Sequence, residues 1–223
     1  SEQEAVFLEN TTAWVPKAPV MPEASAPVLK KPVVIPRIDT SGKITIPLPF
    51  MRAYSPDLRP HDVNERDFLA FIDNLAVAQT APVPLQLLDV AGHAVGFVPH
   101  HWAMFAGASM NMAAGVGTAA VSAFRTRHFM DKVNREYFAP RGLNASLCKN
   151  DQLAEKLGYD PSLPQVAPLN IRSGPTTIRD RRLQALEPYI APLSFDVPLP
   201  TNQRNALDQM AAKQSERNIQ KKE

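Results

Sequence analysis

The sequence predicts a mainly α fold: a compact helical core around a central small-residue helix, with long proline-rich extended arms. Three observations carry that expectation. Residues 102–124 contain no formal charge and consist mostly of small side chains. Phe68, Phe71, Ile72 and Leu75 form an apolar stripe at helical spacing. Of the 22 prolines, eight precede Phe50 and nine follow Arg135. Proline fixes φ and lacks an N–H, so regular structure is not expected to fill those flanks.

Taken in order, residues 1–43 read as an extended arm, punctuated by Pro16, Pro19, Pro22, Pro27, Pro32 and Pro36. Phe7, Leu8, Trp14, Val20, Met21 and the run Val33-Val34-Ile35 are too apolar for a free tail, so the arm is expected to lie on a surface. Residues 43–50 (KITIPLPF) alternate with period two and suggest a short strand or rail, kept off a central sheet position by Pro47 and Pro49. Asn64 is a good N-cap, Glu65 and Asp67 suit the first turn, and Val63 with Phe68 fits a hydrophobic staple. That helix is expected to end near Gln79, before Pro82 and Pro84.

Residues 85–98 (LQLLDVAGHAVGFV) read as a buried helix or as a hairpin turning at 91–93; length and the leading prolines favour the helix. A long helix is expected from His100 or His101 to about Phe138, with a bend or very close packing at Gly115 and Gly117. Pro140 and Gly142 terminate it. A short helix follows at about 151–157 with Gly158 beyond its end. Residues 183–186 suggest one further turn, and 201–223 a weak C-terminal helix or tail. The domain reading is therefore an arm at 1–43, a helical core at 44–158, an extended segment at 159–200 and the tail at 201–223. Flanks of this length exceed ordinary loops and suit interactions.

The charges nearly cancel, 24 basic against 22 acidic, with a pI near 8.7. No nucleic-acid partner is expected from that balance. Cys148 is the single cysteine, so no disulfide forms within one chain. The first residues, SEQEAVFLENTTAWVPK, carry early acids and no apolar run of the kind a signal peptide needs. The expected location is intracellular, cytoplasmic or peripheral to a membrane.

The blocks PFMRAYSPDL, DFLAFIDNLAVA, LQLLDVAGHAVGFVPHHWAMFAGA, GTAAVSAFRTR and FAPRGL span about 49–143. They resemble a group of small proteins of filamentous fungi that has no assigned activity. The resemblance implies a fungal origin and a shared helical core, and it carries over no catalytic residue. The flanking arms lie outside it.

No strong catalytic motif is present. The weak catalytic candidates are Asp89 and His93, at i, i+4 spacing, and the neighbours His100 and His101. Adjacent His100 and His101 point about 100° apart on a helix and do not chelate one ion, so no metal is expected. The run GVGTAA at 115–120 matches the dinucleotide fingerprint but lacks the preceding strand and the following acid, so no cofactor is expected. Cys148 stands beside Lys149, which can lower a thiol pKa. Arg172, Arg179, Arg181 and Arg182 form a basic cluster suited to a solvated loop or an anionic surface. Trp14, Val33, Val34 and Ile35 are the expected partner-binding residues of the arm.

These readings favour a non-enzymatic interaction or scaffold protein whose arms bind a protein partner or a second copy. One alternative is a membrane-associated protein using an apolar helical hairpin over 85–124. As a helix, residues 102–124 span about 34 Å, enough for a hydrocarbon core of about 30 Å, and an anionic membrane is the partner it would meet. The other alternative is a small-molecule binder or an isomerase- or cyclase-type enzyme with an apolar helical pocket near Asp89 and His93.

Overall fold

The computed structural model describes residues 2–17, 28–37, 50–79, 115–164, 166–168 and 177–198. Asp89, His93, His100, His101 and Arg172 lie outside the described residues, as do the 85–98 element, most of the uncharged segment and the 201–223 tail. The described residues form helices α1 (Glu2–Thr11), α2 (Glu65–Gln79), α3 (Gly115–Val133), α4 (Asn150–Lys156) and α5 (Ile178–Leu186). Among them there is no sheet; two isolated antiparallel bridges join Arg37 to Phe50 and Tyr54 to Ser194. No described helix is long and apolar enough to cross a membrane.

α2 forms where its local signals place it. Asn64 Oδ1 accepts the Asp67 N–H at 2.8 Å, and Val63 and Phe68 are both buried. That cap and staple satisfy one orphan donor and fix the entry of the chain. Its face of Phe68, Phe71, Ile72 and Leu75 buries against Phe129, Met130 and Val133 of α3 and against Tyr137 and Phe138 beyond it.

Pro140 has no N–H to give the carbonyl four residues earlier, and the end of α3 rearranges accordingly. Residues 134–138 widen into a π-turn and 139–141 tighten into a 3-10 turn. Gly142, at φ 71, then reverses the chain, and Leu143 N–H closes on the Phe138 carbonyl at 2.9 Å. Asn134 clamps the returning segment, donating to the Ala145 carbonyl at 2.8 Å and accepting its N–H at 2.7 Å.

The N-terminal flank departs from the extended arm that its prolines suggest. Residues 2–11 are helical, because the first proline comes only at position 16 and Glu2 and Glu4 suit the positive end of the dipole. Phe7 enters the core. The Trp14 ring meets Tyr137 edge-on at 5.0 Å and Phe71 at 6.4 Å, while its N–H donates to the Thr11 carbonyl. Arg125 of α3 grips both Glu4 carboxylate oxygens at 2.8 Å and lies over the Phe7 ring at 4.3 Å.

The Glu4 pair gives a pH-dependent attachment. The Arg125 hydrogen bonds hold the Glu4 carboxyl below the usual glutamate value. A depressed folded pKa contributes stability that is complete above the unfolded value and is lost as pH falls through the folded one. Acid should therefore release α1 before the aromatic core opens. With Trp102→Phe, Trp14 is the single indole, and its emission should move to the red as pH falls below the usual glutamate value of about 4.3. Glu4→Gln should abolish that step; a step surviving in Glu4→Gln would assign it to another group.

Part of the C-terminal flank packs beside the helices. Tyr54 and Ser194 exchange backbone hydrogen bonds at 2.9 and 2.7 Å, and Ala191 N–H donates to the Pro32 carbonyl at 2.9 Å. Ile190 and Ala191 are buried. Arg52 pairs with Asp73 of α2 through two 3.0 Å contacts and also donates to the Pro198 carbonyl. Extended pieces at 28–37, 50–55 and 190–198 thus run beside the helices and bring α5 close to α4.

Candidate groove between the flanks and two short helices

α4 is a helix of two turns. The Lys149 N–H donates to Gln152 Oε1 at its start. At its end Gly158, at φ 64, donates to the Glu155 carbonyl and Tyr159 N–H to the Ala154 carbonyl, both at 3.0 Å. This paired closure needs a left-handed residue, which glycine supplies without strain.

α5 is longer than the single turn expected at 183–186. Thr177 Oγ1 accepts the Asp180 N–H at 3.1 Å, and Asp180 accepts the Thr177 N–H at 3.3 Å. This reciprocal box at the sequence Thr-Ile-Arg-Asp starts the helix a turn and a half early. It aligns Arg179, Arg182, Leu183 and Leu186 at i, i+3, i+4 and i+7, one face of a helix.

That face and α4 border a groove of about 540 Å³. Val34, Ile35, Pro36, Arg37 and Phe50 form one wall; Leu153 and Ala154 of α4, with Leu147, Cys148 and Tyr159, form another. Its lining mixes aliphatic side chains with polar ones, Asn150 and the arginines among them. Two groups of residues singled out separately in the sequence meet here: Val34 and Ile35 of the arm, and Arg179 and Arg182 of the basic cluster.

The remaining candidates have other surroundings. Trp14 is spent on the chain's own aromatic core. Val33 is half-buried and packs against that core. Arg181 donates from Nε to the Ala167 carbonyl at 2.6 Å, and its own carbonyl accepts the Ala167 N–H at 3.0 Å, which pins the 166–168 segment. Arg179 is buried and pairs with Asp180 at 2.7 Å. Burial works against the Asp180 charge, yet the Arg179 and Thr177 hydrogen bonds hold its carboxyl below the usual value. Arg37 lies over the Phe50 ring at 4.2 Å and donates to Gln79 Oε1. Arg182 is exposed on the groove side of α5.

Cys148 lines the groove with its Sγ 3.6 Å from Lys156 Nζ and 3.7 Å from Ser146 Oγ. The neighbour is Lys156, at the far end of α4, where the sequence suggested Lys149. Tyr159 donates to the Pro164 carbonyl at 2.6 Å and its ring lies 5.2 Å from that of Tyr189.

A smaller cavity of about 210 Å³ lies between α1 and α3, but its Glu4 and Arg125 satisfy each other. The buried polar network at the start of α2 is likewise internally satisfied. His61 Nδ1 contacts the Arg141 carbonyl at 3.0 Å, and Arg141 donates to the Asp62 and Tyr137 carbonyls. Tyr137 donates to Asp67 at 3.1 Å, and burial pushes its phenol far above the ordinary tyrosine value. That hydroxyl stays protonated and serves structure. Among the described residues no group of three His, Cys, Asp or Glu side chains gathers around a metal-sized space.

The groove leaves no local trace in the sequence because its walls come from three distant stretches. The one available signal was Thr177-x-x-Asp180, which marks a helix start and hence the face carrying Arg179, Arg182 and the two leucines.

The chain is similar to the burnettramic acids biosynthesis cluster protein E of Petromyces alliaceus, at 28% identity over 156 aligned positions. The alignment takes in 67% of this chain and 36% of that protein, so the chain spans about a third of the length of the relative it matches. That relative is fungal, in keeping with the resemblance read from 49–143. No family profile matches the chain, and no solved structure matches it.

Proposed function

We propose that this chain binds an apolar small molecule in the groove between residues 34–37, α4 and α5, as a component of fungal small-molecule biosynthesis. The groove itself is the observation that carries this reading: about 540 Å³, walled by aliphatic side chains that two helices and an extended segment hold in place. The relative's name ties that protein to a biosynthesis cluster, which supports a small-molecule ligand over a macromolecular one. Asp89 and His93, which the sequence suggested for a small-molecule site, lie outside the described residues. The scaffold reading of the arms has less behind it, because Phe7 and Trp14 are used inside the fold.

The test is titration of the full chain with Nile red, a neutral apolar dye. Ala154→Trp and Leu183→Trp place an indole into the groove from opposite walls, at partly exposed positions where the fold has room. Each is expected to weaken dye binding at least about tenfold, a loss of about 1.4 kcal/mol, with unchanged far-UV circular dichroism. Undiminished binding in both variants would remove the groove from consideration.

A further inference from the structure

The lining of the groove is chemically lopsided. Among the described residues it contains three arginines, Arg37, Arg179 and Arg182, and no aspartate or glutamate. Arg179 serves Asp180, and Arg37 is stacked on Phe50 and bonded to Gln79. Arg182 differs from both. It is exposed, it shares the groove-facing side of α5 with Leu183 and Leu186, and among the described residues no hydrogen bond or ion pair engages it.

Such an arrangement discriminates by charge as well as by shape. An aliphatic chain lying on Val34, Ile35, Leu153 and Leu183 removes apolar surface from water. A guanidinium at the edge offers a planar fork that matches a carboxylate. A cationic head group would meet repulsion from Arg182, and a neutral one would leave the fork to water.

We propose that the occupant is an amphipathic carboxylate, a long aliphatic or polyene acid whose chain fills the groove and whose carboxylate pairs with Arg182. This rests on the groove reading above and names the class of its ligand. The occupant is of the kind made by chain-extending chemistry and released by hydrolysis of an acyl thioester, and a reaction of that class would supply it.

The experiment competes decanoate and 1-decanol against Nile red on the full chain at pH 8, in wild type, Arg182→Gln and Arg182→Lys. Wild type should bind decanoate about tenfold more tightly than decanol, the scale of one charge-assisted hydrogen-bonded pair at a partly exposed site. Arg182→Gln should erase that preference by weakening decanoate more than decanol, and Arg182→Lys should keep part of it. Raised salt should weaken decanoate alone. Equal displacement by both ligands in wild type, or a preference that survives Arg182→Gln, would overturn the carboxylate assignment and leave the groove standing. If Ala154→Trp and Leu183→Trp block the dye but neither ligand displaces it, the aliphatic ligand class is overturned. If those two substitutions do not block the dye, the groove reading itself fails.

Discussion

Phe71→Ala should destabilise the protein by about 3–5 kcal/mol, toward the upper end for a phenylalanine truncation. The ring is 7% exposed and stands where the aromatic core converges. It stacks on Phe129 at 6.1 Å and 9°, meets Phe138 edge-on at 5.0 Å, and touches Phe68 at 6.0 Å and Trp14 at 6.4 Å. Each such pair adds about 0.5–1.5 kcal/mol beyond area burial. The neighbours come from three separate parts of the chain, so no single side chain can swing in to close the cavity. Against a total stability of about 5–15 kcal/mol, the loss is a large fraction. Urea unfolding checks it, with Phe71→Leu expected to recover about half. Phe124→Ala, at a ring 51% exposed, should cost no more than about 0.5 kcal/mol. A Phe71→Ala loss below about 1.5 kcal/mol would mean that the core does not depend on this stack.

Its second expected effect is on α1. Trp14 rests on Phe71 and Tyr137, so the cavity removes half of the seat that holds the N-terminal flank. In a Trp102→Phe background, Trp14 emission should respond to Phe71→Ala well before the far-UV signal of α2 and α3 is lost.

What could be read from the residues follows a physical line between local and distant causes. α2 was legible because Asn64, Val63 and Phe68 act within little more than one turn of each other. The end of α3 was legible because Pro140 and Gly142 act through their own backbone chemistry. α1 was not, since a count of prolines over 43 residues hides a proline-free stretch of fifteen. α5 was underestimated for a similar reason: its apolar side is thin, and its start depends on one reciprocal cap rather than on periodicity. The groove required Val34, Leu153 and Leu183 to meet, and separations of that size leave no trace in local pattern. Arg182 and Ile35 each stand out separately in the sequence; their sharing of a single groove is a tertiary fact.

Arg141→Ala should cost about 3 kcal/mol, and the reason separates two kinds of arginine interaction. The side chain is 6% exposed, with its guanidinium at 4.0 Å over the Tyr137 ring. Its Nε donates to the Asp62 carbonyl at 3.0 Å and its Nη1 to the Tyr137 carbonyl at 2.9 Å. Both acceptors lose a charged donor on truncation, and each such bond contributes about 1.5–3 kcal/mol. The Asp62 carbonyl matters further, because Asp62 is held at φ 59, a left-handed conformation that side chains other than glycine disfavour. The nearby carboxylate contributes little by comparison: Asp62 Oδ2 is 3.5 Å away and its side chain is 64% exposed, a geometry in which ion pairs contribute about 0–1 kcal/mol. Asp62→Asn should therefore leave stability within about 0.5 kcal/mol of wild type. Arg141→Lys keeps the charge but cannot reach two carbonyls at once, so it should lie between wild type and Arg141→Ala. The His61 contact survives in all three, since it uses the backbone carbonyl of residue 141. If Asp62→Asn proves as damaging as Arg141→Ala under urea, the ion pair and not the backbone fork fastens the exit of α3 to the turn before α2.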